Sequence, residues 1–301
     1  MALRWSDEVD DIVGGDQVVV LAHRTPAAGV VLTPLTNFRC RDRTAATVTV
    51  NSSIGAPRKL QRIRADPRVA LAFHTRAHSA TDRPEFVLLQ GPASVSDPIE
   101  DYPSHLGEAW DRADGARPTG ALWRHWLRVY HTRSEITVAT SRATVWPDLT
   151  CRGEPCVLGA ASPPPAPAQS PPARGTGPRI DHRKAAAAIK SLPDPVLGWV
   201  DGDGLPCVVT VSLAGVTGGG LLLDAPAGLL PAGGRRAGLT AHAFTRHVIG
   251  QHQHVFTGWL DVGPSGKAVY APHTRTGHRL PPSTTAYRLA VGFATRRGVR
   301  R

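Results

Sequence analysis

The segment "ASPPPAPAQSPPARGTGP", residues 161–178, most restricts how this chain can fold. Proline removes backbone donors and favours extended polyproline conformation, so no packed helix or inner strand is expected to run through it. At about 3.1 Å per residue such a stretch reaches roughly 50 Å. It divides the 301 residues into an N-terminal domain, 1–150, a Pro-rich linker, 151–179, and a C-terminal domain, 180–301.

The two parts share a rhythm. In the first, "WSDEVDDIV" reads as an amphipathic helix with its acids on the outer face. "QVVVLAHRTPAAGVVLTPL" is strand, turn, strand, and "AATVTVNSS" is a third strand alternating at period two. A helix over 57–65 is ended by Asp66-Pro67; "RVALAF" and "EFVLLQGPASVSD" are further strands. "GALWRHWLRVYHT" is a helix with Trp123 and Trp126 toward a core, and "SEITVATSRATVW" is a closing strand. In the second part "HRKAAAAIKSL" is helical and "PVLGWVDGDGLPCVVTVSL" is a hairpin with Asp-Gly punctuation. "GGLLLD", "GGRRAGLTAH" and "HVFTGWLDV" follow, and "YAPHTRTGHRLPPS" reads as a structured loop carrying His273 and His278. Each part has a late strand with a central glycine, Gly91 or Gly258, the mark of a bulge or barrel corner. With 30 glycines, 27 prolines and 6% aromatics, short strands and turns are favoured over long helices. The expected fold class is mainly β with flanking helices, two small antiparallel barrels in tandem.

Several function classes are set aside by what the chain lacks. "MALRWSDEVDDIVGG" has early acids and no apolar core segment, so no secretory signal is expected; no run of 18 apolar residues exists to span a membrane. Cys40, Cys151, Cys156 and Cys207 fit neither a disulfide framework nor a usual zinc pattern, which points to a reduced, cytoplasmic protein. The formal net charge of +11 and the basic tail "ATRRGVRR" raise nucleic acid as a partner. The basic residues are spread over both parts, however, with no interleaved aromatic platform, helix-turn-helix or zinc finger. Such a surface suits anionic small molecules. His252 and His254 share one strand face, but no carboxylate or cysteine lies close in sequence, so they read as a polar face and no metal site is expected.

One stretch, "VNSSIGAPRKLQRIRADPRVALAFHT", poses an electrostatic question. Pro57 suits the first helical position. The first turn then carries Arg58 and Lys59, although a helix N-terminus is partly positive and prefers acids. Lys59 is one of only four lysines. The cations make sense if an anion sits there: free N–H groups at a helix start bind phosphate, the hydroxyls of Ser52 and Ser53 add donors, and Arg58 and Lys59 add charge-assisted bonds. A solvated basic helix face is the plainer alternative.

Strand–Ser–Gly–Arg-Lys–helix–Asp-Pro-Arg-Val–strand, as "SSIGAPRKLQRIRADPRVALAF", resembles the pyridoxamine 5′-phosphate oxidase-like split-barrel family. "AAGVVLTPL" and "EFVLLQGPASVSD" are similar to two further elements of it, and the resemblance covers about 18–97. It implies two FMN-binding-like split barrels in tandem and a cofactor phosphate held by Ser52, Ser53, Arg58 and Lys59. It implies an isoalloxazine ring lined by Thr33, Pro34, Leu35 and Thr36, with Gln90 reaching it from a neighbouring strand or subunit. The implied cofactor is FMN; F420 is the alternative, and haem or another tetrapyrrole a further one. The implied function is a flavin-dependent oxidoreductase passing a hydride or electron pair to a small organic substrate, the alternatives being an F420-dependent reductase or a non-catalytic carrier. No general acid or base is implied, since the cofactor carries the chemistry. Such sites lie at dimer interfaces, so the resemblance implies a homodimer or an intrachain pseudo-dimer of the two barrels. The second part departs from the pattern: Asp224 replaces Asn51, no Ser or Thr follows it, and Arg235-Arg236 falls where Arg58-Lys59 would. A degenerate copy with a structural role is expected.

Overall fold

Three strands in the first half are apolar on both faces, which requires cover on both sides. The computed structural model, which describes residues 3–115 and 117–299, shows what covers them. After α1 (Asp7–Gly15) come β1 (Val18–Arg24), β2 (Val30–Thr36), β3 (Cys40–Asp42), β4 (Thr47–Ser53), α2 (Pro57–Ala65), β5 (Arg68–Phe73) and β6 (Phe86–Val95). Val19 and Leu21 of β1, Val69 and Leu71 of β5, and Val87 and Leu89 of β6 point into the first barrel, where α1 adds Val9, Ile12 and Val13. The alternate residues Val20, Ala22, Ala70, Ala72, Phe86 and Leu88 point the other way, into a second core shared with the C-terminal half. Helices α3 (Tyr102–Leu106), α4 (Glu108–Asp114) and α5 (Ala121–His131) follow, then β7 (Arg133–Ala139), β8 (Arg142–Trp146) and β9 (Cys156–Gly159).

The second half contains α6 (His182–Lys190), β10 (Val196–Val200), β11 (Pro206–Thr210), β12 (Ser212–Thr217), β13 (Gly220–Asp224), β14 (Gly233–Ala243), β15 (His252–Val262), β16 (Ala268–Arg279) and α7 (Thr284–Val299). Its sheet runs β11-β10-β14-β15-β16-β13-β12, and the first runs β2-β1-β5-β6-β7-β4-β3, with β8 and β9 added beside β6. The two orders are the same plan used twice. Register agrees as well. Val69 of β5 pairs with Gly91, and Ala237 of β14 pairs with Gly258. Both glycines are barrel corners: a Cβ on Gly91 would strike the carbonyl oxygen of Ala139, and one on Gly258 that of Ala271. Five residues beyond Val69 and Ala237 lie His74 and His242, which are therefore equivalent. They touch across the pseudo-twofold axis, Nε2 to Nε2 at 3.0 Å, as equivalent residues on such an axis must.

Several expectations change. "SEITVATSRATVW" is two strands, β7 and β8, because the chain turns at Thr140-Ser141. The stretch read as a loop around His273 is strand, β16, out to Arg279. Most of "ATRRGVRR" closes α7; its last two residues lie outside the described residues. The Pro-rich segment carries no helix or strand over 161–178, yet it is not a free tether. Gln169 receives the Arg236 N–H and donates through Nε2 to Ala28 C=O at 3.0 Å, and its own N–H donates to Gly234 C=O at 2.8 Å. Backbone acceptors left open by proline are used from outside: Arg235, 1% exposed, donates to Ala166 C=O at 2.8 Å. The segment is a strap laid across both halves. Among the described residues no helix is long and apolar enough to cross a membrane, and the four cysteines are free thiols.

Candidate functional site

The site begins where β4 stops. The Ser53 hydroxyl accepts the Gly55 N–H at 3.1 Å, the Ser53 carbonyl accepts the Ala56 N–H at 3.0 Å, and the chain turns sharply into α2. Pro57 occupies the first helical position, and Ala56 offers no side chain to cap the first turn. Lys59 lines the same cleft as Ser52, Ser53 and Ala56. Its ammonium has no hydrogen bond or ion pair, and burial, with the nearby Arg133 guanidinium, lowers its pKa from 10.5 to about 7. Arg133, the first residue of β7, donates to Asn51 Oδ1 at 2.8 Å and lies 4.5 Å above the Tyr130 ring. Its Nε is buried without an acceptor. Lys59 and Arg133 are thus near enough that the guanidinium disfavours the charge on the ammonium.

Thr33, Pro34, Leu35, Thr36, Ser52, Ser53 and Lys59 line one cleft of about 330 Å³, floored by β2 and β4. Its far wall comes from the other half: Gln253 on β15, His278 on β16, and Tyr287, Val291 and Thr295 on α7. Helix α7 lies close enough to the β4–α2 turn that a Cβ on Gly298 would strike the carbonyl oxygen of Gly55. Two residues expected here lie elsewhere. Arg58 is on another face of α2 and lines a separate cleft. Gln90 is buried in the seam between the halves, donating to Pro206 C=O at 2.7 Å and accepting from Arg142 Nε at 2.8 Å. Its amide is fully engaged there, because Arg142 also pairs with Asp203 at 2.7 Å and needs an acceptor on its other side.

No family model matches the sequence, and no curated protein does. Among solved structures the chain is similar to pyridoxamine 5′-phosphate oxidase-related proteins. A protein related to general stress protein 26, of the pyridoxinephosphate oxidase family, from Clostridium acetobutylicum shares 10% identity at a TM-score of 0.34, over 50% of this chain and 92% of that one. A pyridoxamine 5′-phosphate oxidase-related, FMN binding protein from Nostoc punctiforme shares 10% identity at a TM-score of 0.31, over 65% of this chain and 88% of that one. An F420 reductase shares 16% identity at a TM-score of 0.32, over 44% of this chain and 94% of that one.

Sequence reasoning missed Arg133, the α7 wall and Gln253, and it read His278 as part of a loop where the structure has a strand bordering the cleft. Arg133 had no local signal, since it is brought beside Lys59 only by the β4–β7 pairing of Ser53 with Arg133. Helix α7 did have one: Ser283-Thr284 after two prolines, then Tyr287 and Val291 four apart on a buried face. Behind Arg133 the Tyr130 hydroxyl donates to Asp114 at 3.2 Å and meets the Tyr287 hydroxyl at 3.3 Å, and burial raises Asp114 to about 6. His252 and His254 do share a face, with Nε2 atoms 3.1 Å apart. Among the described residues no group of three His, Cys, Asp or Glu side chains could hold a metal ion.

The second half has no counterpart to this turn. Val48 and Leu221 both pair into the strand that closes their barrel, at Val138 and Tyr270, so Asp224 does stand where Asn51 does. Ala225 and Pro226 then replace the two serines, and a loop replaces α2. Arg235-Arg236 is not the equivalent of Arg58-Lys59. The β5–β14 register sets Arg236 against Arg68, because no helix intervenes to carry the pair into a turn.

Proposed function

We propose that the chain is a flavin- or deazaflavin-dependent oxidoreductase with one cofactor cleft per chain, FMN being the first choice and F420 the alternative. The observation that carries this is the meeting of unpaired Lys59 with Arg133 beside Ser52 and Ser53, at the end of a cleft lined by both halves. The donor set fits a phosphate dianion: two cations, two hydroxyls and an uncapped helix start. Ser52, Ser53, Lys59 and Arg133 would hold that end of the cofactor, while Thr33, Pro34, Leu35 and Thr36 would face its ring opposite Gln253 and His278. The C-terminal half would act as a built-in partner, supplying the wall that a second subunit would otherwise supply. When bound, the ring supplies hydride or electron transfer to a small organic substrate. The chain's own residues would bind, orient and shield. His278, whose pKa burial lowers, would be neutral and able to donate or accept one hydrogen bond.

The test is equilibrium titration of purified protein with FMN and with F420, followed by reduction with NAD(P)H or reduced F420 and an acceptor present. Saturable binding of either at one per chain, weakened at least tenfold in Lys59→Ala, supports the reading. Binding that ignores Lys59→Ala, or no binding of either, refutes it.

A further inference from the structure

A second cavity, larger than the cleft just described, lies beside α2. It measures about 680 Å³ and is lined by a different face of α2 from the one that carries Lys59. Arg58 and Arg62 of α2 form one wall, Arg236 of β14 and His273 of β16 another, and Arg179 at the end of the strap a third. No aspartate or glutamate lines it. Its floor is apolar, with Val30, Val31 and Val255, and Thr257 and Thr274 add hydroxyls.

This charge arrangement works against the protein alone. Arg58 and Arg62 are four apart on one helix, where like charges repel, and Arg58 sits in the first turn, at the positive end of the backbone dipole. Neither guanidinium has a hydrogen bond or ion pair. The other groups are held in place. Arg236 donates to Gln169 at 3.2 Å and lies 5.8 Å over the Trp259 ring. The Arg179 N–H donates to Pro272 C=O at 3.0 Å, which fastens the strap to β16. His273 lies against the strap with its Nε2 buried and without a partner. The Pro-rich strap is thus one rigid wall of a cationic cleft with an apolar floor.

We propose that this cleft is a second ligand site, separate from the cofactor cleft, for an organic anion bearing two or more phosphate or carboxylate groups on a less polar body. Guanidinium forks on three walls favour a multiply charged ligand over a single anion. The apolar floor and threonine hydroxyls give the uncharged body its contact. A nucleoside polyphosphate and a polycarboxylate share this chemistry.

The test is calorimetric titration of the full chain at moderate salt with metal-free ATP, pyrophosphate and citrate. At least one probe should bind saturably, one per chain, and the Arg58→Ala/Arg62→Ala variant should lose at least tenfold in affinity. ATP or pyrophosphate binding tighter than citrate would identify phosphate as the recognised group, and the reverse carboxylate. Arg64→Ala is the control on the same helix, its side chain being spent on Ser96 C=O at 3.0 Å outside the cleft. Arg64→Ala and Lys59→Ala should both leave the affinity unchanged. Should the double variant melt early, Arg62→Gln alone carries the comparison, with a smaller loss expected. No saturable binding of any probe overturns the proposal. So does an equal loss in Arg64→Ala, which would mean diffuse surface charge, or a loss in Lys59→Ala, which would move the anion to the cofactor cleft.

Discussion

Lys59 offers a quantitative handle on the proposed cofactor cleft. In the free protein its pKa is about 7, through burial first and Arg133 second. A phosphate dianion at contact distance stabilises the ammonium, so the bound lysine titrates higher. Binding then takes up a proton whenever the pH exceeds 7. Linkage sets the sign and the size: the complex holds more protons than the free protein, so affinity falls as pH rises. The loss is about tenfold per pH unit above 7, for as long as the bound lysine stays charged, since one unit is worth about 1.4 kcal/mol. Between pH 6 and pH 9 the dissociation constant of FMN should therefore rise by on the order of 100-fold. Below pH 6 the second ionisation of the phosphate itself, near 6, reverses the trend. Fluorescence titration of FMN across this range gives the curve, and calorimetry in buffers of different ionisation enthalpy gives the proton count directly. In Lys59→Met the slope above pH 7 should vanish and affinity at pH 6 should drop. A wild-type curve flat from pH 7 to 9, or a slope that survives Lys59→Met, would refute the argument.

Other parts of the structure make their own demands. Gln90→Leu should leave cofactor affinity unchanged but cost about 2–4 kcal/mol of stability in denaturant unfolding, because Arg142 and the Pro206 carbonyl each lose a buried partner. In Gly238→Val the new Cβ would lie 2.6 Å from the Val30 carbonyl oxygen and 3.3 Å from Leu32, so overpacking between the halves should cost about 1–3 kcal/mol and lower the melting temperature. Asp114, raised to about 6, should add stability that is full below its unfolded pKa near 4 and is lost as pH rises through 6; Asp114→Asn should remove that slope from a stability–pH profile.

Much of the fold was legible because its signals are local. The period-two alternation of Thr47–Ser53, Pro57 at a helix start and the corner glycines Gly91 and Gly258 each act within a few residues. That the halves share a core is visible only in the structure, where Val20 and Phe86 lie in one cluster with Leu197 and Phe256. The site was legible on the β2 and β4 side, where "VLTPLT" and "NSSIGAPRK" are contiguous text. Arg133, Gln253 and His278 arrive through pairings and packing across 80 to 240 residues, for which no local pattern exists, and the start signal of α7 does not say where that helix packs. The strap shows the same limit in reverse. Proline correctly excludes a helix or strand there, but whether the freed carbonyls face water or Arg235 is a tertiary fact.

Duplication within one chain explains why the two halves could diverge. In a twofold dimer each substitution appears twice, so both interface sites change together. Once fused, each half mutates alone. The β4–α2 turn has its serines and helix, while its counterpart has Asp224-Ala225-Pro226 and a loop. The space beside the counterpart strand was also used differently. Thr210, which stands where Pro34 stands in the β1–β2 register, donates to Leu149 C=O at 2.7 Å, and Trp146 and Cys151 join the shared core beside Val209 and Val211. The segment that follows β8 therefore fills the region where a second cleft would open. Asp224 itself is exposed, while Trp146 and Cys151 are buried in the shared core beside that strand. The pseudo-twofold contact of His74 with His242 survives because it serves packing, which both halves still share.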